Sequence, residues 1–229
     1  MFAITQSCLK FESTAWNTRI VARYNINDEL SSLVKIAANG NASLLDTACC
    51  VGHKIQNNEL HTAIMGGHIE CLKVMWVRCN NIQVYTNIAY MCMWAANSGH
   101  LEVLKWLRAQ DPPCRWDSST CPIAARYGHF EILKWLRSQN PPCPWDEWTC
   151  NEAAEHGHLD ILKWARAQDP PCPWNSSTCS WAAQCGHLEI LKWARAQNPP
   201  CPLSLVTRQM AELGEHSEIL KWLDENGCP

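Results

Sequence analysis

The chain has 229 residues, of which 47% are apolar and 13 are tryptophan, so it carries ample material for a core. Its net charge of −3, with no run of Lys or Arg, excludes the electrostatic footprint of a nucleic-acid or acidic-membrane binder. No stretch of about 18 or more apolar residues occurs, so no membrane-spanning helix is expected. The 15 cysteines are odd in number, follow no secretory segment and mostly recur at fixed spacing, which points to reduced thiols in an intracellular compartment.

Along the chain, the opening MFAITQSCLKFEST lacks a basic segment followed by an apolar core, which argues against a secretory signal. Residues 1–84 read as an N-terminal cap followed by degenerate repeats. Weak copies align on Gly40 (GNASLLDTA) and Gly67 (GHIECLKVMW), unevenly spaced from each other and from Gly99. All 13 prolines lie from Pro112 onward, and residues 85–229 form a regular array. GHLEVLKW at Gly99 returns as GHFEILKW at Gly128, GHLDILKW at Gly157, GHLEILKW at Gly186 and, degraded, EHSEILKW at Glu215. This fixed 29-residue period marks a solenoid, whose units bury their apolar faces against their neighbours.

The unit around Gly157 predicts two helices and a loop. TCNEAAEH forms a short first helix with Cys150, Ala153 and Ala154 on one side. Gly157 supplies a left-handed cap, and a second helix is expected from His158 to Gln168 with Leu159, Ile161, Leu162 and Trp164 as its apolar face. Asp160 in its first turn suits the helix dipole and lies three residues before Lys163. Pro170 and Pro171 are expected to stop the helix, and the serines of Ser118-Ser119 and Ser176-Ser177 to cap the next first helix. In the last unit Glu212 replaces Ala183, Glu215 replaces Gly186 and Leu203 replaces Trp174, which predicts a C-terminal cap with both carboxylates in water.

These residues resemble the ankyrin repeat. The segments AANSGHLEVLKWL, AARYGHFEILKWL, AAEHGHLDILKWA and AAQCGHLEILKWA repeat that family's small Ala-Ala pair, Gly-His junction and aliphatic helix. The likeness covers residues 85–222 well and about 34–84 weakly. It implies an all-α fold, an ankyrin-like alpha solenoid of stacked helix-turn-helix repeats. The unit is four residues shorter than the family's usual 33, and Trp148-Thr149-Cys150 stands where Thr-Pro-Leu-His is usual. The projecting β-hairpin should therefore shrink to a Pro-rich turn. The PPCPWD and LKWLRAQ segments are similar to short arrays encoded by giant DNA viruses of amoebae, of the pandoravirus type, and by some algae and oomycetes. A viral origin is the favoured reading of that similarity, and with it the protein would act in host cytoplasm on a host protein; without it a cytoplasmic protein is still expected.

Three kinds of recurring residue are candidates for chemistry. Cys114, Cys121 and His129, repeated as Cys143, Cys150, His158 and Cys172, Cys179, His187, offer zinc's ligand types. The Cys-x6-Cys-x7-His spacing contains no Cys-x2-Cys pair, however, and Arg208 replaces the second Cys in the last unit. Packing is the favoured reading of these cysteines, and no metal or cofactor is expected. The histidines are read as junction hydrogen-bonders, since several equivalent copies do not make one catalytic base.

The tryptophans form two ladders. Trp106, Trp135, Trp164, Trp193 and Trp222 lie on second helices, while Trp116, Trp145 and Trp174 lie in loops as staples or as exposed anchors. Positions at which the units disagree are the binding candidates. Asn97-Ser98 becomes Arg126-Tyr127, Glu155-His156 and Gln184-Cys185, and the first helices vary through Trp94, Ile123, Glu152 and Trp181, with Trp148 at the start of one of them. The resemblance places Arg126, Tyr127, Trp148, Glu152, Glu155, His156, Trp181 and Gln184 on a protein-binding face; neutral drift on a solvated face is the competing explanation.

The function expected is a monomeric, non-enzymatic protein–protein interaction scaffold. A metal-binding Cys/His array and a structural spacer are the alternatives. The N-terminus shows no F-box-like Leu-Pro segment, which weakens a ubiquitin-adaptor version.

Overall fold

A computed structural model describes residues 29–50, 54–78 and 88–228. The opening segment and most of the expected N-terminal cap lie outside the described residues. Among the described residues the chain is all-helical, with fourteen helices and no strand. They fall into two compact units, divided between Met91 and Cys92.

The first unit contains α1 (Glu29–Ala38), α2 (Ala42–Cys50), α3 (Asn57–Met65) and α4 (Ile69–Arg78). These are two helix pairs, and α3 packs on α1 as α4 packs on α2. Leu45, Leu60, Ile64, Leu72 and Met75 are buried at the helical spacing that brings one face inward. Arg78 reaches back from α4 to Asp46 of α2 at 2.7 Å.

Helix α5 (Ile88–Asn97) carries the unit boundary, and the second unit continues through α6 (Leu101–Arg108), α7 (Thr120–Arg126), α8 (Phe130–Arg137) and α9 (Glu147–Glu155). It ends with α10 (Leu159–Arg166), α11 (Ser176–Gln184), α12 (Leu188–Arg195), α13 (Leu205–Leu213) and α14 (Ser217–Glu225). From α6 onward the second helix of each pair starts in the register that the sequence period dictates, at Leu101, Phe130, Leu159, Leu188 and Ser217. The first helices α7, α9, α11 and α13 pack in succession. Ala124, Ala125, Ala153, Ala154, Ala182 and Ala183 are fully buried there, and methyl-sized side chains let the backbones approach.

Each helix pair before the last turns on a glycine. Gly128, Gly157 and Gly186 have φ of +71°, +79° and +81°, as the sequence predicts, and Glu215 takes the same left-handed turn at +58° in the last pair. A second constraint was not foreseen. A Cβ on Gly157 would stand 2.8 Å from Cε1 of His187, and one on Gly128 would stand 2.6 Å from Cε1 of His158. The following unit lays its imidazole against the space that the glycine leaves open.

Several local expectations need correction. Second helices end sooner than read: α10 stops at Arg166, before Gln168 and the prolines. The Gln168 amide donates to the Trp164 carbonyl at 3.0 Å, and Arg166 donates to the Cys172 carbonyl at 2.6 Å, so polar side chains close the helix end. The caps of the first helices are also displaced. Asp146 Oδ1 accepts from the Trp148 amide at 3.1 Å, and Asn175 Oδ1 accepts from the Ser177 amide at 2.9 Å. Ser176 and Ser177 are therefore the first helical residues and not caps. In α7 Ser119 precedes the helix without a side-chain cap bond, and Asp117 accepts from its amide. Asx side chains adopt this turn readily, which the serine reading overlooked.

A buried hydroxyl row joins the first helices. Thr178 Oγ1 donates to Asn151 Oδ1 at 2.6 Å, and Thr207 meets Ser180 at 3.1 Å. Thr149 and Thr120 occupy the same register but have no hydrogen-bond partner. In the preceding helices Pro122 and Met93 hold the places of Asn151, and neither offers a suitable side-chain group. Asn151→Ala should leave the Thr178 hydroxyl without an acceptor and cost about 1–3 kcal/mol, measured by urea denaturation against wild type. An unchanged midpoint would mean that the Thr178 hydroxyl finds another acceptor.

Candidate functional site

The recurring cysteines and histidines are brought together differently from the grouping in the sequence. Each histidine leaves its cysteines and staples one helix pair to the one before. Nε2 of His129, His158, His187 and His216 donates to the carbonyls of Asn97, Arg126, Glu155 and Gln184, at 2.9–3.1 Å. Each acceptor belongs to the last turn of a first helix, where carbonyls lack intrahelical partners.

Cys121 sits against Cys143 of the next loop, not Cys114 of the previous one, and its thiol points at the Cys143 carbonyl at 3.9 Å. Cys92 with Cys114 and Cys150 with Cys172 repeat the arrangement at 3.8 Å. The loop thiols of Cys143, Cys172 and Cys201 in turn point at the carbonyls of Asp117, Asp146 and Asn175. Hydrogen bonding to the Cys143 thiol, and then burial, push Cys121 well above the usual thiol range; Cys150 follows with Cys172. These are neutral packing groups, inert as nucleophiles. In the last unit the pattern is exchanged as a pair. Arg208 stands at the first-helix Cys position, Asp224 stands where Arg195 does, and the two meet at 2.6 Å.

The loop tryptophans are staples. Trp145 receives the Arg137 guanidinium at 4.0 Å and packs edge-on against Trp164 at 5.9 Å, so it ties α8 to α10. Trp116 joins Arg108 to Trp135, and Trp174 joins Arg166 to Trp193, in the same way.

The variable positions form rows across the packed first helices. Trp148, Glu152, Glu155 and His156 are spaced along one face of α9. Arg126 and Tyr127 end α7 beside them, Trp181 and Gln184 hold the matching positions on α11, and Val206, Met210 and Leu213 hold those on α13. Tyr127 and Trp148 are 50% and 54% exposed, Arg126 and His156 are exposed, and Glu155, Trp181 and Gln184 are half-buried. Val206 and Leu213 are also exposed, at 46% and 73%. The sequence reading did not single out this apolar end, although the repeat register applied to Trp148 and Glu155 would have found it.

Glu152 is the unusual member. Its row is otherwise apolar, with Ile123, Trp181 and Met210. Its side chain is only 17% exposed, and Oε2 is buried without a hydrogen bond. Arg126 lies 3.8 Å from it and Nδ1 of His156 lies 3.7 Å away, both too far for a hydrogen bond. Glu152, Glu155 and His156 each bring a ligating atom within 4.8 Å of the others. Desolvation raises the Glu152 pKa, and Glu155 adds to this, while Arg126 and His156 oppose it. No charged residue belongs to α11.

A carboxyl whose pKa is higher folded than unfolded favours the folded state most below its ordinary value of 4.5. That favour is lost as pH rises through the folded pKa. Glu152→Gln should therefore raise stability at pH 7 relative to pH 4.5, measured as the difference between variant and wild type in chemical denaturation. A difference that is flat with pH, or of opposite sign, would show that Arg126 outweighs desolvation.

Residues 92–137 match the family model described as ankyrin repeats (many copies). The ankyrin repeat domain of human ASB11, a crystal structure, is similar in fold, with a TM-score of 0.50 and 21% identity over 80% of this chain and 97% of that one. No curated protein matches the sequence. The fold is thus that of an ankyrin-type alpha solenoid.

Proposed function

We propose that this chain is a non-enzymatic protein-interaction scaffold, with Arg126, Tyr127, Trp148, Glu152, Glu155, His156, Trp181 and Gln184 as its recognition face. The observation that carries the reading is Glu152. A carboxylate placed in an otherwise apolar row, with Oε2 buried and unbonded, costs stability. A residue kept at that cost on a face with two exposed aromatic rings is accounted for by a task beyond folding. Tyr, Trp and Arg are also the side chains that most often dominate interface energy.

The regular array acts in this reading as a rigid support, and we retain 85–229 as the binding region and 1–84 as cap and degenerate repeats. The described cysteines are all free thiols, which favours a reducing compartment such as the cytoplasm. A host protein as target rests on the likeness of the Pro-rich loops to giant-virus arrays. The zinc reading is disfavoured, because among the described residues the recurring cysteines and histidines do not gather into a ligand set.

The test is affinity capture with the full chain and with the variant carrying Tyr127→Ala, Trp148→Ala and Trp181→Ala. Proteins bound by the wild type should be lost from the variant, with helicity by circular dichroism unchanged. Retained capture would move the site to the loops or to the first unit.

A further inference from the structure

The proposed face is chemically graded. One end, on α7 and α9, holds Glu152, Glu155, Arg126 and His156, with two carboxylates against one permanent cation. The other end, on α13, presents Val206, Met210 and Leu213, with Trp181 of α11 between the two. Two side-chain oxygens of the face are buried without a hydrogen bond, Oε2 of Glu152 and Oε1 of Gln184. Both accept hydrogen bonds, and the carboxylate is the one that attracts a positive charge.

Resting on that reading of the face, we infer that its occupant is an extended peptide segment of a partner protein that carries one Arg or Lys and, a few residues away, one large apolar side chain. The basic group lies over Glu152 and Glu155, flanked by Trp148 and Tyr127; the apolar side chain sits on Trp181, Val206, Met210 and Leu213.

Three features argue for this occupant. The carboxylate pair exceeds the local permanent positive charge by one, so a cation completes it and an acidic segment is repelled. A guanidinium or ammonium on the face adds positive charge beside a carboxylate that Arg126 at 3.8 Å and His156 at 3.7 Å approach without a hydrogen bond. The exposed Trp148 ring, one turn before Glu152 on α9, supplies a face that attracts a cation at the same end, as the Tyr127 ring already does for Arg126 at 5.9 Å.

Geometry sets the spacing. Helices α9 and α13 are two packing steps apart, about 16–20 Å at 8–10 Å per step. An extended chain advances about 3.3 Å per residue, so the basic and apolar residues should be about five or six positions apart.

A random dodecapeptide display library panned against the full chain tests this, followed by titration of enriched peptides against variants. Enriched peptides should pair Arg or Lys with a large apolar residue at that spacing. Glu152→Gln with Glu155→Gln should weaken them tenfold or more, and Glu152→Lys should recover binding to a peptide whose basic residue is changed to Glu. Peptides without a basic residue overturn the inference. So do peptides untouched by the Glu changes but lost on Tyr127→Ala, Trp148→Ala and Trp181→Ala, an outcome that leaves the recognition face standing. If no peptide is enriched, or if both sets of variants bind as wild type, the inference and the recognition face fail together.

Discussion

Ala154→Glu is expected to destabilise the second unit by about 3–5 kcal/mol, although the chain itself carries Glu at the equivalent place in its last repeat. Ala125, Ala154 and Ala183 are fully buried, whereas Glu212, in the same register, is exposed. The position therefore faces the next unit along the stack. On α9 that direction is filled by α11, and a carboxylate there would lose its hydration with no partner in exchange. The neighbouring Ala153, Ala182 and Ala211 are buried in every unit, including the last, so they face inward within the unit. Glu212→Ala should change stability by no more than about 0.5 kcal/mol, the range of surface substitutions. Denaturation midpoints of the two variants decide the matter. Similar losses would mean that stacking does not separate the two positions.

Gly157→Val is expected to cost about 2–4 kcal/mol, since it combines a backbone penalty of about 1–3 kcal/mol with the loss of a hydrogen bond. A β-branched residue at φ +79° is strained by itself. The new Cβ also lies 2.8 Å from the His187 ring, which must move and give up its 2.9 Å bond to the Glu155 carbonyl. The net value of such a bond is about 1 kcal/mol. The penalties separate in a double-mutant cycle. His187→Ala alone should destabilise, and in its background Gly157→Val should cost less, leaving only the backbone strain. Fully additive losses would show that the imidazole yields freely and that the glycine is required for φ alone.

The 29-residue period and the helix-pair architecture were legible in the sequence, as was the left-handed turn at each glycine. These follow from local rules repeated in register. Apolar spacing defines a helix face, and only glycine enters the left-handed region without strain. Repetition multiplied weak local signals into strong ones, and the degraded last copy still keeps its turn, at Glu215. The same logic placed Glu212 and Glu215 in water, and both are exposed.

Partnership across units was decided by the tertiary structure alone. Cys121 is nearer in sequence to Cys114, yet it packs on Cys143. His158 lies eight positions after Cys150, yet it bonds to the carbonyl of Arg126 in the preceding unit. Helix ends and caps were misplaced by a residue or two because Asp146, Asn175, Gln168 and Arg166 complete them with side chains, and the periodicity of apolar residues does not register polar closure. The burial of Glu152 Oε2 without a hydrogen bond was likewise invisible. Sequence repetition shows that a carboxylate replaces an apolar residue there, but whether it is solvated, paired or stranded depends on how closely α7, α9 and α11 approach. That approach is set by packing between units, because side chains and backbone carbonyls a full repeat apart in sequence meet only once the solenoid has formed.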